Sequence, residues 1–331
     1  MPIHRSIIPN FLMGRRQMSQ SHQRTAIIGE CLIELTPKNG KDFSLNFAGD
    51  TLNTAVYLVR SLSKTTMVTV DYVTALGADT FSHEMLNQWL GEGIGVSLVR
   101  QIPDKLPGLY LIRNDEKGER YFYYYRSQSA ARALFEREEG DRLCQKLLEF
   151  DNLYLSGITL AMLYETGRDK LLDCLKVAHK KGKTICFDTN FRAHLWPNLD
   201  SARAIIEEIL KLTTIGLPSF SDEKALFGDK SPKETAERFH RYGVKEVVVK
   251  QGENGYWLSD ETGEKQVAIE RATKVIDTTG AGDAFNGAYL AARFEGLNSE
   301  TASQKAAHLA ATVVAYRGAI IPITHPSIGC D

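Results

Sequence analysis

The chain has 331 residues, 43% of them apolar, enough for one large α/β domain or two smaller ones with a sizeable core and no need of disulfide staples. Forty basic residues against 41 acidic ones leave a formal net charge of −1, which provides no general attraction for nucleic acid or an anionic membrane. The five cysteines, Cys31, Cys144, Cys174, Cys186 and Cys330, are odd in number and follow no C-x-x-C or metal-ligand spacing, a usage that fits a reducing cytoplasm.

Residues 1–24 hold basic residues around a short, broken apolar patch, too weak for a signal peptide, and read as a loosely ordered extension with Met18 as an alternative start; no run of 18 apolar residues marks a membrane span. Residues 25–331 read as one domain. TAIIGECLIELTP (25–37) reads as a strand or two, TLNTAVYLVRSL (51–62) as a helix opened by Ala48-Gly49-Asp50, MVTVDYVTAL (67–76) as a strand and GADTFSHEMLNQWLGEG (77–93) as a helix. Between residues 96 and 126 three strand-like runs follow, VSLVRQI, GLYLIRN and ERYFYYYR. Strict alternation then sets in: strand 152–158, helix 166–182, strand 183–190, helix 199–212, strand 214–219, helix 233–243 and strand 244–252. Strands alternating with helices imply a parallel sheet covered on both faces, with the β-rich segment as a separate small sheet.

Near the C-terminal end, strand-like residues 273–276 precede DTTGAGDAFNG (277–287), and an apolar helical pattern follows. The first N–H groups of a helix lack internal partners and carry partial positive charge, and glycines let an anion approach them closely. Gly280, Ala281 and Gly282 would supply such donors with the Asp283 carboxylate beside them; the plainer alternative makes Asp283 an ordinary capping acid. A phosphate-binding P-loop is absent, because Gly40-Lys41 lacks the upstream glycine, and GEGIGV (91–96) fails the dinucleotide spacing, which argues against a dehydrogenase.

The block 277–287 resembles the C-terminal signature of the ribokinase-like (PfkB) carbohydrate kinases, and the resemblance extends from about residue 25 to 322. It implies a three-layer α/β/α fold with a mostly parallel central sheet and a small β-sheet lid, here from segments near 31–47 and 96–126. It also implies ATP and Mg²⁺, with Asp283 as the base that takes a sugar hydroxyl's proton and the amides of Gly280, Ala281 and Gly282 as the anion hole. A carboxylate of roughly ordinary acidity suits that task when the proton moves late. The family's sugar motif appears as Ala48-Gly49-Asp50-Thr51-Leu52-Asn53, placing Gly49, Asp50 and Asn53 at the sugar, although Asp50 could equally be a helix N-cap. Lys250, Gly252 and Gly255 match a K-x-G-x-x-G turn near the nucleotide, which could equally be any tight turn. Ser219-Phe220-Ser221-Asp222 aligns with the N-x-x-E motif near Mg²⁺, leaving Asp222 or Glu223 as the metal residue, and Asp277 matches a position that attends a monovalent cation such as K⁺ in some members.

YFYYYRSQSAA (121–131) puts Arg126 among aromatics, either as a solvated arginine on an aromatic hairpin or as a fork for a substrate carboxylate. Arg192 follows the strand 184–189, at the end of the sheet where ligands gather. Together with LPGLY (106–110) and YRGAIIP (316–322), these stretches resemble the 2-keto-3-deoxygluconate kinases within the family. That resemblance implies phosphorylation of the C6 hydroxyl of 2-dehydro-3-deoxy-D-gluconate, with Tyr110, Tyr124 and Arg126 around the sugar acid, and Asn190 and Arg192 near the phosphates or substrate. Some equivalent enzymes carry an Asp where this chain has Ala319. The alternatives are a kinase for a neutral sugar such as fructose or ribose, and a sugar-acid binding module without catalysis. The partners expected are a small sugar acid, ATP and further copies of the chain in a dimer or larger homo-oligomer.

Overall fold

The computed structural model describes residues 22–38, 41–114, 120–269, 272 and 274–322. In chain order the strands are β1 Gln23–Ile28, β2 Leu32–Pro37, β3 Phe43–Ala48, β4 Val68–Val73, β5 Ala75–Leu76, β6 Arg100–Gln101, β7 Gly108–Asn114, β8 Arg120–Tyr125, β9 Asn152–Ser156, β10 Thr184–Asp188, β11 Ile215–Gly216, β12 Glu246–Lys250, β13 Tyr256–Asp260 and β14 Gly263–Val267. The helices are α1 Asp50–Ser61, α2 Thr80–Gly91, α3 Arg137–Leu147, α4 Gly157–Met162, α5 Glu165–Lys180, α6 Leu199–Leu210, α7 Phe220–Phe227, α8 Pro232–Arg241, α9 Ala281–Phe294 and α10 Ser299–Val313.

Eight strands form the central sheet in the order β14-β13-β12-β11-β10-β9-β1-β4, parallel except for the pairings of β13 with β12 and with β14. Its strands read as near-continuous apolar runs because both faces are covered. Residues alternate between two cores: Ile28, Leu153, Leu155, Phe187 and Val249 face one, and Ile27, Tyr154, Cys186 and Val248 face the other. The result is the α/β/α sandwich expected. Among the described residues no helix is long and apolar enough to cross a membrane.

A second sheet, ordered β3-β2-β7-β8, has antiparallel outer pairs and a parallel β2–β7 pair at its centre. The expected small sheet therefore exists, but it does not include the run beginning at Val96. Only Arg100–Gln101 of that run is strand, and it pairs with Ala75–Leu76 beside the main body. Two further boundaries shift. β1 already opens at Gln23, within the stretch expected to be loose, while residues 1–21 lie outside the described residues. Residues 274–276 are not strand, so an irregular segment, not a strand, leads into α9; Thr273 lies outside the described residues.

The chain runs from β1 to β4 on one side of β1 and returns through β9 on the other, so strand order reverses there. Over that point α1 and α9 pack in contact. The contact requires Gly287: a Cβ there would come within 2.7 Å of the Leu58 amide nitrogen and of the Thr54 carbonyl, backbone atoms that cannot step aside. Gly287→Val is therefore expected to destabilise the fold by about 1–3 kcal/mol, the usual range for overpacking. Urea denaturation checks this, and an unchanged midpoint would remove the packing argument.

Candidate active site

A cavity of about 950 Å³ opens at the carboxyl ends of β1, β9, β10 and β12, beside the reversal of strand order, where open α/β sheets bind ligands. Its wall gathers residues remote in sequence. Glu30, Gly49, Asp50 and Asn53 come from the end of β1 and the start of α1; Tyr110, Tyr124 and Arg126 come from the small sheet; Asp188, Asn190, Arg192 and His194 come from the end of β10 and beyond. Asp222, Lys250, Gly280, Gly282, Asp283 and Ala319 also line it.

The entrance to α9 has the form an anion hole requires. Gly280 is the N-cap, in the left-handed region at φ 76°, and a side chain there would run into Ala319, whose carbonyl lies 2.6 Å from the Cβ position. The Ala281 N–H turns back to the Thr278 carbonyl at 3.3 Å, and the first helical bond runs from the Ala284 N–H to the Gly280 carbonyl at 2.8 Å. Between them, Gly282 and Asp283 belong to the first turn, whose N–H groups have no intrahelical acceptor. Ala281, expected among the donors, is the exception: its N–H is taken by Thr278 and it does not line the cavity.

Asp283 does not cap its own helix, because its carboxylate accepts from the Asn53 side-chain amide across on α1 at 2.8 Å. Asp50 likewise reaches away from its helix, accepting from Ser156 Oγ at 2.5 Å and from Asn190 Nδ2 at 2.9 Å. Burial raises the Asp50 carboxyl above its ordinary value, with Ser156, the Thr51 amide, Arg126 and Asn190 holding it back. At Asp283 burial and then the Asp50 charge push the carboxyl up to about 7; Asp188 adds to this, and Asn53 and Lys250 oppose it. Asp283 is therefore a weaker acid than the ordinary carboxylate expected from sequence. Asp188 accepts from Lys250 Nζ and Asn286 Nδ2, each at 2.7 Å, and from the Asn190 N–H at 3.0 Å.

The small sheet supplies the opposite wall. Arg126 is buried and paired with the Glu30 carboxylate, not solvated. The Tyr110 hydroxyl donates to Glu34, and the Tyr124 ring lies between Tyr110 at 5.6 Å and His194 at 5.5 Å. Burial, Arg126 and Arg192 lower the His194 pKa, so the ring stacked on Tyr124 stays neutral at physiological pH. Arg192 is half-exposed and donates to Asp222 at 3.4 Å, and burial raises the Asp222 carboxyl against the pull of Arg192.

Four other expected residues lie off the cavity. Gly252 and Gly255 shape the tight turn between β12 and β13, where a Cβ on Gly255 would fall 2.0 Å from the Val267 carbonyl; only Lys250 of that motif enters the site. Glu223 points into the core instead of toward a metal, paired with Arg238 at 2.5 Å, and burial pushes its carboxyl up to about 7. Asp277 accepts from the Thr279 N–H at 3.0 Å and hydroxyl at 2.7 Å and from the Gly318 N–H at 3.0 Å, bonds that tie the loop down. Among the described residues no group of three or more His, Cys, Asp or Glu is placed to hold a metal; of the two expected metal residues, Asp222 lines the cavity and Glu223 does not. Glu30, Asp188 and His194 were not picked out in advance; Glu30 and Asp188 stand at carboxyl ends of parallel strands, the signal that could have found them.

Residues 22–326 match the pfkB family carbohydrate kinase model. The chain is 44% identical over 304 residues to the 2-dehydro-3-deoxygluconokinase of Escherichia coli strain K12, spanning 91% of this chain and 97% of that one. It is 42% identical over 302 residues to the 2-dehydro-3-deoxygluconokinase of Dickeya dadantii strain 3937, spanning 90% and 96%. The crystal structure of a PfkB protein from Polaromonas sp. JS666 superposes with a TM-score of 0.75 at 25% identity, covering 89% of this chain and 96% of that one. With the α9 entrance, its acid and the enclosing fold in place, the chain belongs to the pfkB family of carbohydrate kinases.

Proposed function

We propose that the chain transfers the γ-phosphoryl group of ATP to the C6 hydroxyl of 2-dehydro-3-deoxy-D-gluconate. The observation that carries this reading is the pairing of two features in one cavity: a carboxylate beside the amides of a helix entrance, and a buried guanidinium on the facing sheet. The first suits phosphoryl transfer to an alcohol and the second a substrate bearing a carboxylate. The 2-dehydro-3-deoxygluconokinases at 44% and 42% identity support the same substrate.

Arg126 holds the sugar acid by its carboxylate, Asp50 and Asn53 meet its hydroxyls, and the reacting hydroxyl faces Asp283. As that oxygen forms its bond to the γ-phosphorus, its proton passes to Asp283 and the bond from the phosphorus to the β–γ bridging oxygen breaks, releasing ADP. The N–H groups of Gly282 and Asp283, at the positive end of α9, stabilise the charge on the phosphoryl oxygens in flight. Mg²⁺, when bound, would supply further charge neutralisation on the phosphates, and Asp222 would be the residue to hold it. The small sheet walls off the cavity and favours transfer to the sugar over transfer to water. A neutral-sugar kinase would have no use for a buried Arg126, and a binding module no use for Asp283.

Asp283→Asn is expected to lower kcat by roughly 10² or more while substrate binding stays measurable. Because the base works only when deprotonated, and its carboxyl stands at about 7, kcat/KM of the native enzyme should rise with pH through that value and level off above it. Full activity down to pH 5 would contradict the assignment. Arg126→Ala is expected to raise KM for the keto-deoxy acid by roughly 10- to 100-fold, since charge-assisted hydrogen bonds contribute about 1.5–3 kcal/mol. A panel of keto-deoxy acids, fructose, ribose and adenosine reads the specificity; preference for a neutral sugar with no loss in the Arg126 variant would overturn it.

A further inference from the structure

Lys250 closes β12, is buried, and points its ammonium at the underside of the site. Nζ donates to Asp188 Oδ2 at 2.7 Å and to Asn286 Oδ1 at 2.8 Å, and Asn286 in turn donates to the same Asp188 oxygen at 2.7 Å. A Cβ on Gly282 would lie only 3.7 Å from Nζ, so the ammonium sits directly beneath the turn that carries Asp283. The other two cavity cations face other groups: Arg126 pairs with Glu30, and Arg192 is half-exposed and meets Asp222.

We propose that Lys250 is a positioning residue of the transfer centre, the buried countercharge that lets Asp50, Asp188 and Asp283 share one cavity with Asp283 free to take a proton. The proposal rests on the reading of Asp283 as the base. Among the described residues, the charged or titratable side chains that interact with Asp283 include Asp50 and Tyr57 on α1, Tyr154 on β9, Asp188 on β10 and Lys250 on β12. Among these named residues Lys250 is the cation. Asp50 and Asp188 oppose ionisation of Asp283, and Lys250 and the Asn53 amide favour it. Asp188 thus has two effects, holding the ammonium in place while adding a like charge of its own.

The test is the acid limb of the kcat/KM profile, which a purely structural lysine would not move. Lys250→Met should shift the limb upward by about one pH unit, a displacement in keeping with a unit charge at close range in a partly screened site. Asp188→Asn should shift it downward, and the double variant should return it toward the native position because the two charges removed act in opposite directions. If Lys250→Met fails to fold with Asp188 left unpaired, the comparison of Asp188→Asn with the double variant still measures the ammonium, since the double variant buries no lone charge. A limb unmoved between those two, or unmoved in Lys250→Met while kcat falls, would overturn the proposal. A native enzyme with no limb, and turnover retained in Asp283→Asn, would instead overturn the assignment of the base.

Discussion

The crowding of Asp50, Asp188 and Asp283 at one end of the central sheet is the constraint around which the rest of the structure is arranged. The buried Asp283 carboxyl is pushed against by the charges of Asp50 and Asp188, and a buried carboxylate is costly unless it is met by donors. Each is met: Asp50 by Ser156 and Asn190, Asp188 by Lys250, Asn286 and the Asn190 amide, Asp283 by Asn53. None of the side-chain partners is close in sequence; the Asn53–Asp283 bond joins residues 230 apart. The site therefore exists only in the folded domain, and the close approach of α1 and α9 at Gly287 is what brings two helix entrances to one cavity.

That arrangement also explains how one cavity serves two anions. In the proposed reading the sugar acid's carboxylate goes to Arg126, and the phosphates to the helix entrance and the residues around Asp222. Acids fill the floor between them. Such a layout keeps either anion from settling at the wrong pole, because a misplaced carboxylate or phosphate would meet Asp50, Asp188 or Asp283 instead of a donor. Glu30 fits the same logic: paired with Arg126, it leaves a buried guanidinium compensated before any ligand arrives.

Much of this was legible in the chain. Alternating strand and helix signals from residue 152 to 252 gave the layered sandwich, since a 3.6-residue apolar period and a 4- to 8-residue apolar run are local properties. The helix entrance at 280–283 was equally local, because glycine spacing and an adjacent acid lie within one turn. What escaped notice was set by tertiary contact. The run beginning at Val96 has strand-like composition, yet its partner is β5 rather than the small sheet, and no residue within it states that choice. Glu223 and Asp222 are adjacent, and only the rotation of α7 sends one to Arg238 and the other to the cavity. The departure of Asp283 from ordinary acidity depends on Asp50 and Asp188, more than 90 residues away. Lys250 sits in a glycine-flanked turn whose sequence points to the nucleotide, whereas its long side chain leaves that turn altogether and ends under α9.

The most direct test of the whole account is a crystal structure of the enzyme with 2-dehydro-3-deoxy-D-gluconate and a non-hydrolysable ATP analogue. The account predicts the C6 hydroxyl within about 3 Å of the Asp283 carboxylate, in line with a γ-phosphoryl group against the Gly282 and Asp283 amides. A reacting hydroxyl held by some other group, with Asp283 remote from both ligands, would contradict it.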